Sequence, residues 1–361
     1  MKLLGESILA PSAEWCGGHA CMFPGLCVKP GGSLALLAVA GTAFESADQR
    51  TVVYTGSADG LTWQPHGDIG EVRSNGHLFC TSAKPTALPN GRIVALGYGF
   101  EREEPELSIS GYAEKHGDFP KVRNYVQFSE DGGISYTPPK FLEHGYGGIE
   151  FSGPSLRLTD GRLLAFGSPF GLKAAEAQIG LCFESTDDGQ SWHEKSVFHR
   201  SGSVTCWECR GTQLPDGRIA VVSWAFDLAT QRHLTNCLAL SADGAENWQS
   251  LDTGLPGQAA NLLPMGDGTV GIVQARREGD HPGIYLTVWN LANAKPERTM
   301  LLYDVAGGAN VAGKITDQFY NLKFGQPALH RLEDGTFLLV FWRCTGPACY
   351  EIVIRKLLVI G

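Results

Sequence analysis

The amino-acid sequence predicts an all-β protein, a six-bladed β-propeller of four-stranded antiparallel sheets, and three observations lead to this prediction. The 361 residues include 46 glycines and only 19% charged residues, a composition typical of short strands joined by tight turns. One hairpin pattern recurs six times along the chain, and one turn motif recurs four times. Repeats that each supply a single sheet indicate a radial arrangement of those sheets.

The recurring hairpin consists of an apolar stretch, a turn that ends in glycine, and a second apolar stretch. Successive turn glycines are separated by 51 to 70 residues, a length that suits one four-stranded unit. In each unit we expect a glycine turn between the first two strands, a long loop, and an aspartate hairpin between the last two. The six glycines are Gly32, Gly91, Gly161, Gly217, Gly268 and Gly335.

The last unit reaches the end of the sequence after its third strand, CYEIVIRKLLVIG at 349–361. The stretch KLLGESILA at 2–10 lies ahead of the first repeat and belongs to no other unit. We expect it to supply the missing fourth strand and so to close the ring. This closure predicts a single domain over residues 1–361, since two separate domains would not need it.

The turn motif combines serine, aspartate, glycine and an aromatic residue. It occurs as SADGLTW, SEDGGISY, STDDGQSW and SADGAENW. A short carboxylate can accept backbone N–H bonds, glycine can take a positive φ, and the aromatic ring can cover the turn. We therefore expect the four aspartates to hold β-hairpin turns rather than to do chemistry: Asp59, Asp131, Asp187 and Asp243.

The charge of the chain restricts its partners. A net charge of −9 and an isoelectric point near 5.6 disfavour nucleic acid and anionic membranes, which attract basic surfaces. The N-terminal residues make a poor signal peptide, and no apolar stretch is long enough to span a bilayer. We expect a cytoplasmic protein, or a secreted one if the sequence is a mature form.

The sequence gives no sign of a metal or a cofactor. We expect the ten cysteines to be reduced and mostly buried. Neither the group Cys16, His19 and Cys21 nor the pair Cys206 and Cys209 has the ligand spacing of a zinc ribbon or finger. Phosphate-binding glycine loops and the HExxH and GxSxG motifs are also missing.

The turn motif, matched in full by STDDGQSW at 185–192, resembles the Asp-box of the sialidase-like superfamily. The four motifs and six hairpins together extend over nearly the whole chain. The resemblance implies a propeller that binds its ligand at the end opposite the Asp-boxes. The superfamily includes sialidases, exo-arabinanase-like glycosidases, some polysaccharide lyases of related propellers and non-catalytic modules, so the resemblance alone does not choose a function.

Two glutamates, Glu150 and Glu208, occupy the expected ligand end of the third and fourth units. Paired carboxylates are what glycoside hydrolysis needs, because one protonates the leaving oxygen while the other attacks the anomeric carbon or activates water. In the alternative interpretation these glutamates only pair with Arg210, His77 or Lys84 in a polar channel. Exo-arabinanase-like glycosidases use two glutamates in a similar position.

A strict sialidase assignment meets difficulties at several positions. Sialidases hold the substrate carboxylate with three arginines, but Phe23 and Trp224 stand where two of them are expected. Either Arg276 or Arg277 matches the third.

The sialidase nucleophile is also in doubt. Glu208 resembles the glutamate that activates a catalytic tyrosine in that family. Tyr320, our third candidate catalytic residue, lies earlier in the sequence than that tyrosine, whose aligned position is near Gln326. Asp48 is a weak match to the sialidase acid.

Further polar and aromatic residues fall at the same expected end. Aromatic rings such as Trp207, Phe226 and Trp342 would stack on sugar faces and exclude water, or else each packs between neighbouring blades. The acidic insertion at 101–124 is interpreted as a lid, an oligomer contact or a solvated loop. The candidate substrate-binding residues are His77, Lys84, Trp207, Arg210, Trp224, Arg276, Arg277, Asp317 and Gln326.

These observations favour an exo-acting glycoside hydrolase that acts on a terminal neutral or weakly acidic sugar. Three alternatives stay open: a true exo-sialidase, a non-catalytic glycan-binding propeller, and a polysaccharide lyase or other sugar-modifying enzyme. The lyase would use His77 or His281 together with Tyr320 to abstract a proton. The expected partner is a carbohydrate, and the chain is a candidate homo-oligomer.

Overall fold

A computed structural model describes residues 1–10, 19–74, 76–171, 177–266, 268–305, 318, 322–347 and 349–358. Short strands dominate these residues, and the helix α1 (Ile109–His116) lies in the insertion of the second unit. None of the helices in these ranges is long and apolar enough to cross a membrane. The all-β prediction is therefore confirmed.

The strands follow the chain in successive units, and the first strand, β1 (Lys2–Leu9), precedes them all. The first three units contain β2 (Ala20–Val28), β3 (Leu34–Gly41), β4 (Arg50–Gly56) and β5 (Trp63–Asp68); β6 (Arg73–Ser74), β7 (His77–Ala87), β8 (Ile93–Glu101), β9 (Val122–Ser129) and β10 (Lys140–Phe141); and β11 (Leu156–Arg157), β12 (Leu163–Gly167), β13 (Gln178–Ser185) and β14 (His193–Ser201).

The other three units continue the same succession of strands. They contain β15 (Val204–Gln213), β16 (Ile219–Asp227), β17 (Arg232–His233), β18 (Thr235–Ser241) and β19 (Gln249–Pro256); β20 (Ala260–Gly266), β21 (Thr269–Arg276), β22 (Gly283–Asn290) and β23 (Lys295–Asp304); and β24 (Phe324–Arg331), β25 (Phe337–Gly346) and β26 (Cys349–Leu358).

Hydrogen bonding joins sequential strands within each unit. The second to fifth units each form a separate sheet, whereas the first and last units share one eight-stranded sheet. In this sheet β1 pairs antiparallel with β26, from Lys2 opposite Leu358 to Leu9 opposite Ile352. A single parallel pair, Ala20 with Tyr350, connects the two halves. The N-terminal strand thus lies in the sheet of the last unit.

Apolar side chains fill the space between neighbouring units. Leu338 and Ile352 of the last unit share one buried cluster with Leu36 and Val52 of the first. The same type of cluster joins the first unit to the second, and each later unit to the next. Because each sheet buries its faces against its neighbours, the first strands of the units lie together, and residues far apart in sequence meet there.

The turns have the geometry that their sequences predict. All six turn glycines have φ between 72° and 96°, a backbone conformation that glycine adopts without steric cost. In the third unit, Asp187 Oδ1 accepts hydrogen bonds from the Ser185 hydroxyl at 2.8 Å and from Ser191 N–H at 2.9 Å. The Trp192 indole donates to the Gly189 carbonyl across the same turn.

The other three turn aspartates accept equivalent bonds within their own hairpins. At Asp243, bonds from the backbone N–H and side chain of Asn247, together with the Ser241 hydroxyl, lower the pKa of the carboxyl to about 2. A carboxylate that is ionised and fully engaged by its own turn serves to hold that turn.

Replacing Asp187 by alanine should destabilise the fold. The change removes three acceptor bonds of the turn, those from Ser185 and Ser191, and should lower the free energy of unfolding by about 1–3 kcal/mol. Chemical denaturation followed by tryptophan fluorescence measures the loss. Asp280→Ala, which removes an exposed loop carboxylate, is the control and should leave the unfolding curve unchanged. Equal curves for the two variants would contradict a structural role for Asp187.

Candidate functional site

A cavity of about 140 Å³ lies where the first strands of the units come together. Its walls come from first strands, from second strands and the loops that follow them, and from the insertion of the second unit, and none of the four turn aspartates contributes to it. The described lining residues are Phe23, Val39, Phe44, Glu45, Gln49, Cys80, Thr81, Ser82, Tyr98, Phe100, Ile109, Phe119, Glu150, Phe170, Trp207, Glu208, Trp224, Leu322 and Gln326.

Three of the lining side chains are aimed by equivalent backbone distortions. Phe23, Glu208 and Gln326 have φ of 54°, 51° and 46°, a region that residues other than glycine rarely occupy. Each lies at a register shift in the first strand of its unit, in β2, β15 and β24. Such bulges redirect a side chain out of the regular alternation of a strand. Strain of this kind clusters at functional sites, where the surrounding structure holds it in place.

The two predicted glutamates meet at this cavity. Glu208 N–H donates to Glu150 Oε2 at 3.1 Å. Burial and the neighbouring Glu208 carboxylate raise the pKa of Glu150 to about 8. Glu150 therefore keeps its proton at neutral pH, partly because a second acidic group lies beside it.

Glu208 is held on one side by an amide. Gln326 Nε2 donates to Glu208 Oε1 at 2.6 Å. Glu208 Oε2 is buried and accepts no hydrogen bond within the described part of the chain. The nearest guanidinium nitrogen, Arg210 Nη1, lies 3.9 Å from this oxygen. Glu208 Oε1 is thus fixed by the amide, and Glu208 Oε2 has no hydrogen-bond donor among the described residues.

Three buried cations surround the carboxylates, but none of them lines the cavity. Lys84 Nζ donates to the Phe23 carbonyl, and burial lowers the pKa of its ammonium to about 7. Arg210 Nη1 donates to the Ala260 carbonyl at 2.9 Å. Arg277 Nε donates to the Phe324 carbonyl at 2.9 Å. The structure therefore places these three predicted substrate-binding residues on main-chain carbonyls behind the cavity.

Two of the predicted tryptophans do form part of the wall. Trp207 and Trp224 make an edge-to-face pair with ring centroids 5.3 Å apart, and the Trp224 indole donates to His233 Nδ1 at 3.0 Å. Phe226 instead stacks behind Trp207, and Trp342 is fully buried against Phe23. Phe226 and Trp342 therefore do not lie at the rim, and their burial in the core agrees with the alternative interpretation, packing between neighbouring units.

Other predicted residues lie away from the cavity. His77 is about half exposed, with its imidazole 3.4 Å from Glu101. The Arg276 guanidinium covers the Tyr285 ring, beside a second cavity of about 130 Å³ that also contacts Arg277. The Asp48 carboxylate accepts hydrogen bonds from Thr42 in its own loop. Tyr320, Asp317 and Cys16 lie outside the described residues.

Sequence reasoning missed the part of the wall that comes from two loops. Phe44, Glu45 and Gln49 follow the second strand of the first unit, and Ile109 and Phe119 belong to the insertion. The loop residues occupy the same repeat position as Phe170 and Trp224. Comparison with these two residues could therefore have predicted that the loop of the first unit reaches the cavity. The insertion was one of the lid candidates of the sequence, but no local pattern indicated that Ile109 and Phe119 would reach the wall.

The insertion is fastened to the first unit by Glu45. The Glu45 carboxylate accepts Ser110 N–H at 2.8 Å and the Ser110 hydroxyl at 3.0 Å, so it binds the first turn of α1, where backbone N–H groups are unpaired. Burial raises the pKa of Glu45. Arg102 donates to the Leu107 carbonyl inside the same insertion. These contacts hold α1 over the cavity.

No group of three or more His, Cys, Asp or Glu side chains suitable for a metal ion occurs within the described ranges. Nine cysteines fall in these ranges, all of them free thiols, and six are buried. The described polar groups that line the cavity are carboxyl groups, amides, hydroxyls and the Cys80 thiol.

Comparisons with known proteins show what the fold resembles. No family model matches the chain, and no curated protein does. Among solved structures, a protein of unknown function from Dyadobacter fermentans is similar over 99% of both chains, with a TM-score of 0.73 and 19% identity. The Trypanosoma rangeli sialidase, in complex with the inhibitor DANA, matches 99% of this chain with a TM-score of 0.67 and 14% identity.

A third similar structure is the Hadza microbial sialidase Hz136, which matches 93% of the chain with a TM-score of 0.66 and 12% identity. This chain spans 60% of the Trypanosoma sialidase structure and 65% of the Hadza structure. The protein therefore has a sialidase-like β-propeller fold, which confirms the resemblance carried by the Asp-boxes. Identities this low show the fold alone.

Replacing Glu45 by alanine should loosen the insertion. The variant loses both bonds to Ser110, and hydrogen bonds to a charged group are each worth about 1.5–3 kcal/mol. Amide hydrogen exchange at residues 109–116 should therefore become at least about tenfold faster.

Asp48→Ala is the matched control for this experiment. Asp48 lies three residues away in the same loop, but it binds Thr42 instead of the insertion. Exchange in α1 should be unchanged in this variant. Protection of α1 that survives in Glu45→Ala would show that the Glu45 carboxylate does not fasten the insertion.

Proposed function

We propose that this protein is an exo-acting glycoside hydrolase that removes a terminal sugar with the carboxylate pair Glu150 and Glu208. The observation that carries the proposal is the contact between the two residues at the cavity, where Glu208 N–H donates to Glu150 Oε2. The environment raises the pKa of Glu150 and so distinguishes the two carboxyl groups. Such a separation is the pattern by which two carboxyl groups take the acid and base roles at one pH.

Glu150 is the proposed general acid. Its pKa of about 8 keeps it protonated at neutral pH, so it can donate to the glycosidic oxygen as the leaving group departs. Glu208 is the proposed nucleophile or base. Its Oε1 is fixed by Gln326, which leaves Oε2 to attack the anomeric carbon or to take a proton from water.

The rest of the cavity suits a sugar at a chain end. Trp207, Trp224, Tyr98 and Phe170 line it with aromatic rings, and flat rings stack on the apolar faces of sugars. The insertion covers one side through Ile109 and Phe119. A small, partly covered cavity accommodates a terminal residue more readily than the middle of a polysaccharide.

The proposal includes the arrangement of the whole chain. We propose a single domain over residues 1–361, with six blades in a ring closed by β1. The pairing of β1 with β26 supports the closure, and the buried cluster shared by the first and last units supports the ring.

The alternative activities have less support. A sialidase needs cations for its substrate carboxylate, and the described lining residues include no lysine or arginine. A lyase would need His77 or His281 near the sugar, but His77 contacts Glu101 away from the cavity and His281 is exposed on a loop.

The first test is release of a fluorescent aglycone from a panel of aryl glycosides. The panel contains common hexosides, α-L-arabinofuranoside and α-sialoside. Glu208→Gln and Glu150→Gln should each lower turnover by at least about a hundredfold while sugar binding persists. The anomeric configuration of the first product, followed by NMR, separates a retaining from an inverting reaction.

Glu184→Gln is the control for the loss of a buried carboxylate. Glu184 is buried and paired with Arg162, but it lies outside the cavity, so its variant should keep full turnover. Full turnover in Glu208→Gln would refute the two-carboxylate mechanism. Sugar binding without any release, in the wild-type protein, would favour a non-catalytic glycan-binding propeller.

The pH dependence tests the role of Glu150 separately. Because the acid must carry its proton, kcat/KM should be constant around pH 7 and fall as the pH rises through about 8, the pKa of Glu150. The fall should be about tenfold per pH unit. With a dinitrophenyl aglycone on the same sugar the fall should largely disappear, since that leaving group departs without protonation.

The variants give this pH experiment its control. Glu150→Gln should lose the alkaline fall and lose much more activity on the poor leaving group than on the good one. Glu184→Gln should follow the wild-type profile. An alkaline fall that persists unchanged in Glu150→Gln would assign the titrating acid to another residue.

A further inference from the structure

We infer that Gln326 selects a neutral sugar, because one end of its amide positions Glu208 and the other end accepts a hydrogen bond from a sugar hydroxyl. This inference rests on the proposed function and deepens it by naming the substrate class. It is carried by the contacts of Gln326, by the packing of its backbone, and by the placement of the nearby cations.

The orientation of the Gln326 amide follows from its partner. Glu208 Oε1 can only accept a hydrogen bond when ionised, so the amide atom 2.6 Å away must be the donor Nε2. The carbonyl Oε1 is then the free end of the amide. It is buried, and no described residue donates a hydrogen bond to it. A buried acceptor without a donor is a position that a ligand donor would satisfy.

The backbone holds this amide in place. Gln326 has φ of 46° and precedes Pro327, and a following proline further restricts the backbone. The neighbouring Gly325 leaves no room for a side chain, since a Cβ there would lie 2.3 Å from Arg277 Nη2 and 2.8 Å from the Trp342 ring. Tight packing on both sides therefore maintains a strained position, as is typical of a preorganised site.

Two buried acceptors without a donor belong to adjacent residues of the cavity wall. Gln326 Oε1 and Glu208 Oε2 each lack a donor among the residues described, and both residues line the cavity. Hydroxyl groups of a neutral sugar can donate to them. A sugar carboxylate would instead bring a negatively charged acceptor against two acceptors, so it would be repelled.

The cations that could recognise a sugar carboxylate lie behind the cavity wall. Lys84, Arg210 and Arg277 each donate to a main-chain carbonyl, and none of the three lines the cavity. Arg277 lies against the Trp224 ring, 5.5 Å from its centroid, and Trp224 is itself part of the wall. The cavity wall therefore presents aromatic rings and uncharged or acidic polar groups to a ligand, and no described lysine or arginine.

The test compares sugars that differ only in one group. Binding of D-galactose and D-glucose is measured by saturation-transfer NMR against D-galacturonate and D-glucuronate, and L-arabinose and N-acetylneuraminic acid are added to the series. We expect a neutral sugar to bind at least about tenfold more tightly than its uronate. Preferred binding of a uronate or of N-acetylneuraminic acid would overturn the inference.

The variant Gln326→Met removes the amide and keeps the volume. For the aryl glycoside that is released fastest, we expect kcat to fall because Glu208 loses its fixed orientation, and KM to rise because the hydroxyl loses its acceptor. Among monodeoxy analogues of that glycoside, one should lose about tenfold to a hundredfold in kcat/KM with the wild-type protein. With Gln326→Met, the same analogue and its parent glycoside should have nearly equal values of kcat/KM.

Gln274→Met is the matched control. Gln274 is also a buried glutamine whose Nε2 donates to a carbonyl, that of Pro256, but it lies outside the cavity. Its variant should discriminate against the deoxy analogues as the wild type does. If Gln326→Met keeps the full discrimination, or if both variants lose it equally, Gln326 has only a structural role.

The outcomes for the inference and for the proposed function are separable. Binding of neutral sugars over uronates without any aglycone release would leave the choice of sugar class intact and refute the hydrolase. Release of an acidic sugar in preference to neutral ones would keep the hydrolase and refute the role of Gln326. If no sugar of either class binds, both proposals fail.

Discussion

The structure depends on the packing of each four-stranded unit against the next. A twisted sheet of four short strands leaves apolar faces on both sides, and in this chain those faces are buried in clusters shared by neighbouring units. This packing brings the first strands together. The bulges at Phe23, Glu208 and Gln326 lie in three of those strands, so the site is a consequence of how the sheets bury their faces.

The same packing explains the electrostatics of the site. Glu150, Glu208, Lys84, Arg210 and Arg277 come from four units, since Glu208 and Arg210 share β15, and all but the partly buried Glu150 are removed from water. An isolated buried charge is costly, and the chain offsets this cost by binding each cation to a main-chain carbonyl. Glu150 meets the same constraint by keeping its proton, and Glu208 meets it by accepting the Gln326 amide. The arrangement leaves a protonated acid beside a carboxylate with one free oxygen.

The resemblance to sialidases is a resemblance of fold. At the base of the cavity an amide, Gln326, contacts Glu208, and Trp224 covers Arg277. A scaffold with first strands that converge can carry different sets of side chains at the same positions, because the blade packing depends on the apolar faces and not on the bulge residues.

The sequence by itself determined the strands, the turns and the meeting of the two glutamates. Turn residues act locally, so the six glycines and four aspartates predicted their hairpins, and Glu150 and Glu208 share a repeat position that the fold brings together. Only the tertiary structure decided which partners the buried side chains take. Lys84 and Arg277 bind carbonyls from other units, Trp342 fills the core, and the insertion reaches the cavity through Glu45 and Ser110. These contacts join residues that are distant in sequence, so no local sequence pattern could predict them.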